Sequence, residues 1–143
     1  MEDKKRANIA ECDREFIYKN GNILGFGSTP MKEIFTFTMA LGMDYPQKLP
    51  TKSTSWIRSD TFDTNSIALM AALRLGADDI NDNNINGYAN YNDCMVYANM
   101  CSYAGFRKLE QMIKEANYDN DELIAELMAE LDRLYRKNVE LKD

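Results

Sequence analysis

The chain has 143 residues, 45% of them hydrophobic, with a net charge of −6 at pH 7 and no histidine. This length fits one domain, and the apolar content is too high for a disordered chain. A pI near 4.7 excludes a general nucleic-acid coat, which needs a concentrated positive field; the missing imidazole removes Ser-His-Asp and Cys-His nucleophile systems and every metal site built on histidine.

Residues 1–20 are highly charged with sparse apolar positions (Ile9, Phe16, Ile17, Tyr18) and read as a short helix or an arm. No apolar stretch follows Glu2–Arg6, so no secretory signal is expected. No run of about 18 apolar residues exists, so no membrane span is expected. The three cysteines, Cys12, Cys94 and Cys101, form no close CxxC pair, which speaks against a disulfide framework and fits a reducing cytoplasm.

The GNILGFG run at 21–27 holds three glycines and reads as a turn or a short extended piece; the strand-before, helix-after context of a dinucleotide fingerprint is missing. Thr29-Pro30 marks a helix start, and Ile34, Phe35, Phe37, Met39 and Leu41 make that helix apolar on most sides up to Gly42, a central core element. Residues 43–62 read as a long connection with Pro46 and Pro50, and long connections are often functional. Asp63 or Thr64 caps a second helix ending at Gly76. The Asp- and Asn-rich stretch 77–92 favours turns, with one helical turn over 78–82. Asn92 is then expected to cap a long helix from Asp93 to about Ala116, burying Tyr97, Cys101, Gly105, Leu109, Met112 and Ile113. A last helix runs from Asp121 to about Leu141, acidic early and basic late, which suits its macrodipole.

Helices joined by Gly-, Pro- and Asn-rich loops, with no alternating strands, predict an all-α single domain over 1–143: a bundle of about five helices, with an N-terminal arm and turn over 1–27 and an amphipathic C-terminal helix over 119–143. Several features invite a site. Cys94 and Cys101 lie two turns apart on one helix face, where packing as small hydrophobes competes with soft-metal binding. Asp78, Asp79 and Asp82 offer oxygen ligands, but their spacing is not that of an EF-hand, and capped turns are the simpler reading. Lys48, Lys52 and Arg58 beside Trp56 are a candidate nucleic-acid contact, which Arg107 and Lys108 would extend; against it, Trp56 and Ile57 would tuck the loop onto the core.

The C-terminal helix carries the other candidate surface. Ile124, Leu131 and Asn138 recur at one heptad position, and Leu127, Leu134 and Leu141 at the other. Such a stripe fits a protein partner or a homodimer, and an Asn at an a-type position fixes register; it also fits packing on the helix's own domain. No carboxylate pair stands out for acid–base work, so no catalytic residue, cofactor or metal is expected.

The run MKEIFTFTMALGM, a loop ending in SWIRS, then SIALMAAL and VYANMCSYAGFRKLEQMI together resemble a group of small bacterial proteins associated with DNA-phosphorothioation (Dnd) and related phage-defence systems. The positions carrying it are Ile34, Phe35, Phe37, Ala40, Leu41 and Gly42, then Tyr97, Ala98, Asn99, Gly105 and Leu109, within residues 30–113. The resemblance implies a defence-associated accessory protein of bacterial or phage origin and supplies no catalytic residue. The expectation is therefore a non-enzymatic interaction protein that supports or inhibits a defence complex, with a DNA-binding regulator using the basic loop as the alternative.

Overall fold

The computed structural model describes residues 6–140, with side chains through Lys137. The chain is mostly helical, but it is not all-α: Ala7–Ala10 (β1) and Ser53–Ile57 (β2) form a two-stranded antiparallel sheet. Between them lie α1 (Glu11–Lys19), a 3₁₀ stretch at Ile23–Ser28 and α2 (Met31–Leu41). After β2 come a 3₁₀ turn at Ser59–Thr61, α3 (Thr64–Leu75), α4 (Ile85–Tyr88), α5 (Tyr91–Glu115) and α6 (Asn120–Glu140). In the described part of the N-terminal stretch, read as a short helix or an arm, the helix is present and a strand precedes it, and the expected long loop at 43–62 contains the second strand.

The sheet forms because Ser53–Ile57 is rich in β-branched and aromatic side chains, while Ala7 and Ile9 alternate inward along β1. The register passes from Ala7 opposite Ile57 to Asn8 opposite Ser55, so Trp56 is the extra residue of a bulge. A bulge re-aims side chains. Here Ile57 is buried, and neighbouring Trp56 is half-buried with its ring against Phe35 and Phe106, centroids 6.1 Å from each. The bulge frees the Asn8 N–H, which donates to Oδ1 of buried Asn99 on α5 at 3.0 Å.

α2 lies on α5 at very short range. A Cβ on Gly105 would sit 1.8 Å from the Thr38 carbonyl oxygen, and one on Gly42 would sit 2.0 Å from that of Cys101. Only glycine permits both approaches, and the buried hydroxyls of Thr38 and Ser102 share a 2.7 Å hydrogen bond in the same crossing. The anticipated apolar α2 is thus central, with Ile34, Phe35, Met39 and Leu41 buried. Thr29 does not cap it. Its hydroxyl donates to the Gly25 carbonyl at 2.8 Å and closes the preceding turn, in which Leu24 and Gly25 are left-handed (φ 55° and 69°), and Pro30 stands at the helix start.

Asp63 caps α3 by accepting from the Ser66 N–H at 2.8 Å, which holds its carboxyl below the ordinary range. Asn90, two residues earlier than expected, caps α5 by accepting from the Asp93 N–H. Asp119 does the same for α6 through Asp121 and Glu122. The helical turn expected at 78–82 lies instead at Ile85–Tyr88.

Candidate interaction surface

α6 is anchored by apolar side chains on one face and by charges beside it. Leu123, Leu127 and Leu134 are buried, the first two in the cluster formed with Ile34, Leu41, Phe106, Leu109 and Ile113. Next to them, Glu130 is paired with Lys108 of α5 and with Arg133. Arg133 reaches on to Asp44, in the connection after α2, at 2.9 Å, and Lys137 approaches the same carboxylate at 3.5 Å. The hydrogen bond from Arg133 is the main reason the Glu130 carboxyl lies below its ordinary pKa; burial pushes the other way, and the bond from Lys108 lowers it further. These contacts fix the rotation of α6 on the body.

That rotation leaves a second apolar face uncovered. Ile124, Met128, Leu131 and Tyr135 are 45%, 67%, 40% and 68% exposed. Of the six heptad residues nominated from sequence, the structure therefore separates two pairs. Leu127 and Leu134 face the domain, and Ile124 and Leu131 face solvent. The side chain of Asn138 and residue Leu141 lie outside the described part. Met128 and Tyr135, which are not among those six, complete the outer face.

The basic loop is assembled differently from the expected nucleic-acid contact. Trp56 packs on Phe35 and Phe106 rather than standing beside the cations. Arg58 pairs with Asp60 at 3.1 Å. Lys48 and Lys52 are exposed, and the Lys52 carbonyl accepts from the Glu11 N–H at 3.0 Å. Arg107 pairs with buried Asp13 of α1 and lies 4.5 Å from the Tyr103 ring, and Lys108 is held by Glu130. Lys48, Lys52 and Arg58 are thus all exposed, while the Trp56 ring is turned onto the core.

Sequence reading missed a third cluster. The Arg74 side chain is only 8% exposed. Its fork donates to both Asp79 oxygens at 3.0 and 3.2 Å, and its Nε donates to Asp93 at 3.0 Å. The guanidinium lies 4.3 Å and 4.8 Å from the Tyr88 and Tyr97 ring centroids. Burial works against the charge, but the two carboxylates outweigh it and raise the Arg74 pKa; in return Arg74 lowers that of Asp79. Asp79 is thereby a partner of arginine. Among the described residues, no group of three His, Cys, Asp or Glu is placed to hold a metal ion.

Cys94 and Cys101 are buried, and Cys12 is exposed. Burial pushes the Cys101 thiol up to about 12 and raises Cys94 as well, helped by Asp93. Both are therefore neutral packing thiols at physiological pH. No helix among the described residues is long and apolar enough to cross a membrane. Compared with protein-family models, curated proteins and solved structures, the chain matches none.

Proposed function

We propose that this is a non-enzymatic interaction protein that binds a polypeptide partner through the outer face of α6. One observation carries the reading: four large apolar side chains, Ile124, Met128, Leu131 and Tyr135, stand exposed in helical register on a helix whose orientation is locked by Leu123, Leu127, Leu134 and the Glu130 network. Scattered exposed apolar residues are ordinary, whereas a contiguous row marks an interaction site, and a rigid helical row is read by partners at i, i+4, i+7 spacing. The non-enzymatic half is supported by what the charged clusters do. Arg74 with Asp79 and Asp93, Arg107 with Asp13, and Asp44 with Arg133 and Lys137 all join one element to another. The setting we propose, accessory to or inhibitor of a bacterial phage-defence complex, has the sequence resemblance as its support.

The test is a photo-reactive amino acid in place of Met128, with the same probe at exposed Tyr18 on α1 as control. Irradiation of expressing cells, and of the purified protein, is expected to give discrete polypeptide adducts from position 128 and none from position 18. Absence of any polypeptide adduct at 128 in both samples overturns the reading.

A further inference from the structure

We infer that the occupant of the outer α6 face is a second copy of this chain, its α6 running antiparallel to the first. This rests on the reading above and adds to it the identity of the partner. A helix surface for an unrelated partner has no need to look the same when reversed, but a twofold interface must be self-complementary, and this one is. The row is spaced four, three and four residues apart, which makes a short a/d seam. Its midpoint falls between Ala129 and Glu130. Turning the row end for end about that midpoint places Ile124 on Tyr135 and Met128 on Leu131, so each of the four side chains meets an apolar one.

The charges select the direction. Asp121 and Glu122 are exposed acids of the first turn, and Arg136 near the other end is an exposed base, 72% exposed and, among the described residues, paired with exposed Asp132 of its own helix. In an antiparallel pair, Asp121 and Glu122 come beside Arg136 of the other copy, at both ends of the seam. The same turn sets Asp132 level with Leu127, which carries no charge. In a parallel pair the two acidic first turns lie side by side at one end of the seam, far from either Arg136, and like charges in apposition oppose association. The antiparallel pair also sets the two helix dipoles head to tail.

The seam is short. Two such rows bury on the order of 1,000 Å², the low end for specific association, so the pairing is a weak, concentration-dependent one. Sedimentation velocity on the purified full chain, from a few to several hundred micromolar, should show a monomer–dimer equilibrium. Met128→Glu should raise the dissociation constant at least about tenfold with an unchanged circular-dichroism spectrum, because that position is exposed in the monomer. Orientation is read separately in a Cys12→Ser background. A mixture of Ile124→Cys and Tyr135→Cys chains should form the 124–135 disulfide on mild oxidation, while each variant alone stays uncrosslinked. Disulfides in the unmixed samples, 124 to 124 or 135 to 135, would overturn the antiparallel arrangement. A chain that stays monomeric throughout overturns the second-copy assignment. If the Met128 probe then joins a different polypeptide in cells, the interaction reading survives without it; if it joins nothing, both fall.

Discussion

Arg74 shows how one side chain can join distant stretches of this chain. It sits on α3, yet its fork is met by Asp79 in the following loop, its Nε by Asp93 in the first turn of α5, and its flat surface by Tyr88 and Tyr97. A lysine carries the same charge but cannot hold two carboxylates in a planar fork or stack on rings in the same way. Arg74→Lys is therefore expected to cost about 2 kcal/mol and Arg74→Ala about 3, since truncation leaves Asp93 without its partner. Urea unfolding measures both, and a lysine variant as stable as wild type would show that the fork geometry contributes nothing. The sequence held one clue to this cluster. Arg74 is the lone basic residue among five acidic ones between Thr61 and Phe106, and it lies on an apolar helix. Nothing in the spacing said which acids would reach it, because residues five and nineteen positions away meet only once the loop has folded back.

At the scale of elements, the α2–α5 crossing sets the architecture. Gly105 allows α5 to rest on the Thr38 carbonyl, and Gly42 allows α2 to end against Cys101. Both neighbours are backbone, so an added methyl must push the helices apart rather than displace a side chain. Gly105→Ala should cost about 3 kcal/mol, although alanine favours an isolated helix by about 1 kcal/mol. A thermal melt gives the sign directly, and a stabilised variant would contradict the close crossing. The sequence placed Gly105 on the buried side of a long helix, where a residue that costs helix stability signals a close contact or a bend. The helices themselves were legible from apolar periodicity and from caps such as Asp63. The strand pair was not. β1 has only four residues, its partner lies more than forty positions away, and the bulge at Trp56 places Trp56 and Ile57 on the same side, which erases the alternation that would announce a strand.

For the molecule as a whole, the question is what keeps α6 seated so that its outer row is presented. Periodicity alone marked the helix as amphipathic, but it could not divide Leu127 and Leu134 from Ile124 and Leu131, because the rotation is chosen by contacts with Lys108 and Asp44, which lie far away in sequence. Glu130 is central to that choice, half-buried and held by Arg133 and Lys108. Its folded pKa lies below the value of 4.5 expected for a free glutamate. A depressed carboxylate stabilises the folded form fully above the unfolded value and loses that contribution as pH falls through the folded one. The melting temperature of the wild type should thus fall as pH drops below about 4.5, with Asp63 and Asp79, also depressed from 3.8, adding to the decline in the same direction. Glu130→Gln keeps the size and removes the charge. It should be less stable at pH 7 by about 1–2 kcal/mol, and the gap to wild type should close as the pH is lowered, because protonation makes the native side chain as neutral as the glutamine. Thermal melts of the two proteins between pH 3 and pH 7 on the order of one unit apart read both curves. A gap that stays constant across that range would mean that the charge of Glu130 does not hold α6, and that Leu123, Leu127 and Leu134 seat the helix without it.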